Sequence, residues 1–319
     1  MSTAKSKHSI RIILALGLIV FLVLKIDMRD TLALFLQITW QWLLIILIFR
    51  GIGLLFNIFR WRMILECHTH SISWWELLKA RLVGLFYNNI LPSNSGGDMV
   101  RAYFLTKRED IPLSETFSTV VIEKVSGIIA LVTYLIIAFF LNASVIHDAG
   151  VTSLIIILSV LAGIAIVLLF NNHLFELCAS LAKKKSNKVT EVIYKYYKAI
   201  NHFTKHPDIL VWSVIYSLIV QGTTIGVTYA AAQSLSLPLG LQDVFLLVPL
   251  IGLSNAIPVS IGNWGWREGV YVFILQFFSV EAHLALALAL LMRLLGFAIS
   301  IFGGVVVMSK QGRFRLRTK

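Results

Sequence analysis

Carboxylates are scarce in this chain: 16 Asp and Glu stand against 28 Lys and Arg in 319 residues, for a formal net charge of +12. Cysteine is scarcer still, and Cys67 and Cys178 alone imply no disulfide framework. No P-loop, Gly-x-Ser-x-Gly, His-Glu-x-x-His or paired-aspartate metal motif occurs in a soluble loop. Direct ATP hydrolysis is therefore not expected, and no cofactor or metal is implied. Cys67-His68-Thr69-His70 has metal-ligating residue types but lacks the further ligands of a structural site, so a polar cytoplasmic turn is the better reading. There are only six prolines, so each is informative about where a helix stops.

What is abundant is apolar. Hydrophobic residues make up 58% of the chain and the mean hydropathy is +0.83. Length alone would allow two soluble domains, but this composition reads as one polytopic, all-helical membrane domain over residues 1–319. The basic excess sits in a few segments, as expected of a chain oriented against an anionic inner leaflet; nucleic acid is not implied. Lys5, Lys7 and Arg11 precede an apolar run, but Lys25, Asp27, Arg29 and Asp30 follow it instead of a cleavage site. An uncleaved first helix over about 10–26 is expected.

Further spans are expected at about 36–59, 113–141, 151–171, 209–234 and 282–308, six in all. Two broken pairs of shorter apolar segments intervene, at about 74–91 with 98–107 and at about 242–257 with 266–278. Segments of 10–14 residues suit re-entrant pieces better than spans. Lys and Arg populate the N-terminal tail, residues 60–70 (Arg60 and Arg62), 107–108, 172–208 and the tail 309–319, whereas loops 142–150 and 235–243 have none. The positive-inside rule then puts the basic segments and both termini in the cytoplasm. That holds only if each broken pair re-enters on its own side, the first from the cytoplasm and the second from outside. The segment 172–208 mixes Lys with Tyr194, Tyr196 and Tyr197, and fits either a surface amphipathic helix or a plain linker.

The broken pairs carry a motif written twice. Asn89, Leu91-Pro92, Gly96 and Arg101 match Asn255, Ile257-Pro258, Gly262 and Arg267 at one offset, 255 − 89 = 166. The same shift carries the second helix onto the fifth, the third onto the last, and Glu115 onto Glu281. Two halves, about 40–142 and 206–308, therefore read as an inverted repeat joined by residues 143–205. Corresponding helix breaks point to a site at the repeat interface.

The breaks suggest their own chemistry. Pro92 ends one short helix, Ser93 to Gly97 can expose backbone N–H groups, and Asp98 can cap the next helix. A helix N-terminus inside a membrane suits an anion such as phosphate. Arg101, one turn in, fits two roles: a bidentate phosphate ligand, or an i,i+3 partner of Asp98 that pins the hairpin. In the second copy, Gly262-Asn263-Trp264-Gly265 leads to Arg267 and Glu268. Asn255 and Asn89 would position the two tips. Trp264 and Trp266 fit interfacial anchors or the wall of an acyl-chain pocket. Intramembrane charge also occurs at Arg50, Glu123, Lys124 and Arg293. Glu123, with Arg50, Arg101 or Arg293 as partner, reads as a functional charge relay, while Arg50 and Arg293 read as structural.

These residues, Asn89, Pro92, Gly96-Gly97-Asp98, Arg101, Glu123-Lys124, Ile257-Pro258 and Gly265-Trp266-Arg267-Glu268, resemble the flippase-like membrane domain of lysylphosphatidylglycerol synthases and its free-standing bacterial UPF0104-type relatives. The resemblance spans about residues 10–308. It implies a protein of the bacterial cytoplasmic membrane that moves or holds an anionic lipid, a phospholipid or a polyprenyl phosphate. The soluble aminoacyltransferase domain of the two-part synthases does not follow here, so that activity is not carried over. Asn263 stands where many relatives have a second Gly, which narrows backbone access. The alternatives are a membrane glycosyltransferase with Asp98, Glu123 or Glu268 as base, and an accessory subunit with a lipid-modifying enzyme or glycosyltransferase as partner. Arg neighbours weaken any of those carboxylates as a base.

Overall fold

A computed structural model describes residues 34–67, 72–91, 96–141, 206–255 and 260–309, with isolated positions at 153, 156, 157, 160, 163 and 203. The expected first helix at 10–26, most of the span 151–171, most of the basic segment and Ser93 lie outside the described residues. Among the described residues the chain is wholly helical, without strands. In order come α1 (Trp40–Glu66), α2 (Trp74–Ile90), α3 (Gly96–Glu109), α4 (Leu113–Leu141), α5 (Pro207–Ser234), α6 (Leu241–Ser254), α7 (Trp266–Leu275) and α8 (Ala282–Met308). Four of these, α1, α4, α5 and α8, are long and apolar enough to cross a membrane. They coincide with four expected spans, and the chain is an all-α, multi-pass membrane protein.

The arms between them are short: 17 and 14 residues for α2 and α3, and 14 and 10 for α6 and α7. A span needs roughly 20. Local chemistry sets their ends. Leu91, just before Pro92, is extended (φ −77°, ψ 146°), as the ring of a following proline demands, and α2 stops there. Asp98 lies in the first turn of α3 and Lys107 and Arg108 in its last, both favourable to the helix dipole. Because α3 begins at Gly96, Asp98 sits inside the helix and is not its cap. Two other boundaries also differ from expectation. Helix α1 runs on to Glu66, so Arg60 is a buried helical residue and not part of a cytoplasmic loop. Helix α7 ends at Leu275 and passes into a 3-10 turn, Gln276–Phe278.

Adding 166 to the bounds of α1 gives 206–232, against Pro207–Ser234 for α5. The same shift of α2 and α4 gives 240–256 and 279–307, against Leu241–Ser254 and Ala282–Met308. Packing follows the same correspondence. Helix α1 packs along α5, α2 packs on α8 while α6 packs on α4, and α3 packs on α4 while α7 packs on α8. Each first arm thus rests on a span of the other half, and each second arm on the span that follows it.

Apolar burial alone discriminates poorly between helices surrounded by lipid, so close approach matters more. A Cβ on Gly303 of α8 would stand 2.0 Å from Leu82 O of α2, and one on Gly97 of α3 would stand 2.0 Å from Gly84 O of α2. Gly303→Ala should therefore lower stability by roughly 1–3 kcal/mol through overpacking. Gly51→Ala, whose Cβ meets nothing within 4 Å, should be neutral or slightly stabilising. Thermal unfolding of both variants in one detergent checks this contrast.

Candidate functional site

Glu123 lies in the middle of α4 and is 3% exposed. Its Oε1 accepts from Arg60 Nη2 (3.0 Å) and Nε (3.3 Å), and its Oε2 accepts from Arg101 Nη2. One carboxylate therefore joins α1, α3 and α4. Arg101 Nε donates to Asp98 Oδ1 (3.1 Å), and Lys124 Nζ lies 2.9 Å from Asp98 Oδ2. The Arg101 guanidinium also stacks 4.5 Å above the Trp61 ring, whose Nε1 donates to Thr119 Oγ1. Arg60 Nη1 reaches Ser217 Oγ on α5 (2.7 Å), and Ser213 of α5 donates to Ser126 of α4.

Of the three partners expected for Glu123, only Arg101 is found. Arg50 and Arg293 are elsewhere, and the second partner is Arg60. The correction has a simple cause. Helix α1 continues past residue 59 and carries Arg60 inward at a height where Glu123 is the available anion.

The second hairpin is held by the opposite arrangement of charge. Arg293 Nε on α8 donates to Glu268 Oε1 on α7 (2.5 Å), its Nη1 to Gly262 O (3.3 Å) and its Nη2 to Asn263 O (3.0 Å). The Trp264 ring lies 4.3 Å from the same guanidinium. All three of these Arg293 nitrogens thus have acceptors on the second hairpin. In the first half the hairpin supplies the arginine and the span the carboxylate; in the second half these are exchanged.

The turn between α6 and α7 needs left-handed backbone. Gly262 has φ 56°, Asn263 φ 53° and Gly265 φ 74°. Glycine and asparagine are the residues that tolerate this region. Asn263 Nδ2 donates to Asn255 O and Oδ1, bracing the turn, and Gly265 N donates to Glu268 Oε2. In the first hairpin Asn88, not Asn89, accepts from Gly97 N (2.9 Å). Two of the backbone donors expected to face an anion are therefore taken by side chains. Asn89 instead touches the other half: its O lies 3.6 Å from where a Cβ would stand on Gly262.

Among the described residues, two buried donors at corresponding positions have no partner, Nη1 of Arg101 and Nε of Arg267, and neither has Arg50 Nε. Arg267 stacks 5.8 Å from the Tyr271 ring. Sequence reasoning missed Arg81, whose Nη2 shares Asn57 Oδ1 with Arg60 Nη2. A signal existed: Arg50, Gly53, Asn57 and Arg60 follow i, i+3, i+7, i+10 spacing, one helical face.

The family model for the lysylphosphatidylglycerol synthase transmembrane region matches residues 9–304. The chain belongs to that family. Similar proteins include a UPF0104 membrane protein of Pyrococcus horikoshii, 24% identical over 96% of this chain and 98% of the relative. Another, from Methanocaldococcus jannaschii, is 25% identical over 78% of each. No solved structure matches the chain.

Glu123→Gln leaves Arg60 and Arg101 facing a neutral amide in a buried site, and should destabilise the protein by roughly 3–5 kcal/mol. Arg62→Gln breaks only an exposed pair with Glu66 and should change stability by less than about 1 kcal/mol. Unfolding in detergent, followed by intrinsic fluorescence, compares the two.

Proposed function

We propose that this chain is a lipid transporter that passes an anionic headgroup, of a phospholipid or a polyprenyl phosphate, between its two hairpins. The observation that carries this reading is the pair of corresponding arginines, Arg101 and Arg267, each keeping one buried donor without an acceptor among the described residues. They sit on hairpins whose ends meet at Asn89 and Gly262. A phosphate oxygen would satisfy those donors in a setting where a neutral acceptor is scarce. Asp98, Lys124 and Glu123 hold Arg101 in place, and Gly265 and Glu268 shape the start of α7 beside Arg267. Asn255 and Gly262 set the second turn, while Gly96 and Gly97 open α3.

In this reading residues 40–142 and 206–308 are halves of an inverted repeat, and the hairpins are re-entrant from opposite sides. The matching helix bounds and the reciprocal packing of α2 on α8 and α6 on α4 support it. Both termini lie on the cytoplasmic face of the cytoplasmic membrane, in keeping with the distribution of Lys and Arg. Facing halves of this kind give alternating access by rocking about a site near the midplane.

Reconstitution into vesicles containing a headgroup-accessible fluorescent phosphatidylglycerol tests the function. Arg267→Ala should slow translocation at least tenfold at equal protein density, since one charge-assisted contact is lost. Arg62→Ala should not. Unchanged rates for both Arg101→Ala and Arg267→Ala would overturn the transporter reading.

A further inference from the structure

The carboxylates of Asp98, Glu123 and Glu268 are taken by Arg60, Arg101, Lys124 and Arg293. Arg50, Arg81 and Arg267 are left with no carboxylate within ion-pair distance among the described residues. Unpaired charge in a membrane interior is costly and marks a site where a counter-charge binds. Two of the three line one cavity.

That cavity, of about 140 Å³, lies where α1, α2, α5 and α8 converge. Arg50 and Arg81 line it together with Asn57, Thr223, Thr224 and Gly296. Spans of both halves therefore contribute. Arg50 Nε is buried and unpartnered, and no acceptor for its guanidinium is found among the described residues. Arg81 makes one hydrogen bond, through Nη2 to Asn57 Oδ1 (3.1 Å). Asn57 is itself held: its Nδ2 donates to Gly53 O (2.9 Å) and its Oδ1 also accepts from Arg60. The Arg81 fork is thus steadied, and no other hydrogen bond from it is found among the described residues. The Thr223 and Thr224 hydroxyls each donate to Val220 O, and each retains lone pairs and a rotor.

Size narrows the occupant. The cavity is well above the roughly 10–15 Å³ that one water needs by the same measure, and is large enough for a phosphate group. It falls below the roughly 300–1,000 Å³ of a pocket that encloses a whole drug-sized ligand. A headgroup phosphate fits only if the rest of its molecule lies outside the cavity.

We propose that the Arg50–Arg81 cavity, whose lining includes neither Arg101 nor Arg267, is a second anion site that binds a phosphate oxyanion between the two guanidinium groups. The proposal rests on the transporter reading for its biological use and on cavity geometry for its existence. Arg50 approaches the oxyanion from α1 and Arg81 from α2, so the bound group bridges the first span and the first arm. Since α8 packs on that same arm, occupancy also bears on the contact between the halves. The oxyanion arrives either on a lipid or as free phosphate.

Thermal unfolding of the full chain in a neutral detergent separates these sources. Wild type, Arg50→Gln, Arg81→Gln and the double variant are titrated with short-chain phosphatidylglycerol, short-chain phosphatidylcholine and inorganic phosphate. Without added anion, each single variant should melt no lower than wild type, because an uncompensated buried charge has been removed. With anion, the half-maximal concentration for stabilisation should rise at least tenfold in each single variant and further in the double variant. Stabilisation by phosphatidylglycerol at concentrations where inorganic phosphate is inert assigns a lipid headgroup. The reverse order assigns a soluble phosphate, and either supports the site. Equal titrations in wild type and the double variant, or no stabilisation of wild type by any of the three, overturn it. A lower melting point of both single variants without anion also counts against it, since that is how a satisfied structural arginine behaves.

The two proposals fail separately. Intact anion binding with translocation indifferent to Arg101 and Arg267 removes the transporter reading and leaves the cavity. Translocation lost in those hairpin variants, with binding indifferent to Arg50 and Arg81, removes the cavity and leaves the transporter.

Discussion

Much of this fold depends on one carboxylate in the interior of the bundle. Glu123 accepts hydrogen bonds from Arg60 of the first described span and from Arg101 of the first hairpin. Each charge alone would be expelled from a low-dielectric interior; together they remain because each satisfies the other's donors and acceptors. Apolar faces can slide against each other in lipid at little cost, whereas a carboxylate held by two guanidinium groups has one register. The surrounding polar groups extend that register. Trp61 lies against Arg101 and bonds to Thr119, and Arg60 carries the connection on to Ser217 of α5.

The second hairpin meets the same constraint with the charges exchanged. Glu268 comes from the hairpin and Arg293 from the span, and the two remaining arginine nitrogens bind carbonyls of the left-handed turn. In both halves the second arm is fastened to the span that follows it, while the first arm leans on the opposite half. Polar contacts fasten each second arm to its span and also cross to α5, through Arg60 with Ser217 and Ser126 with Ser213, while Gly303 and Gly252 allow close approach of α8 to α2 and of α6 to α4.

Charge is also distributed unevenly. Arg293 is surrounded by acceptors; Arg50 and Arg267, among the described residues, are not. A protein that needed arginine only for packing would have little reason to keep guanidinium donors buried and unpartnered, because a neutral side chain of similar length would avoid the desolvation penalty. The proposed binding of anions rests on this surplus of cationic donors.

Composition and hydropathy were enough to establish a wholly helical, multi-pass membrane protein, because lipid leaves a backbone few ways to satisfy its own hydrogen bonds. The four described spans, the two interruptions, and the shared offset of 166 residues were legible from apolar run lengths and from the placement of Asn, Pro, Gly and Arg. The partners of the charged residues were not. Arg60 looked like a loop residue because hydropathy falls where polar side chains begin, although the helix continues to Glu66. Arg81 went unnoticed because its meaning comes from facing Arg50 across a cavity bounded by four helices. Local sequence decides where a helix can form and where it must break. Which charge meets which across the bundle depends on helix rotation and height, and those are set only when the helices pack.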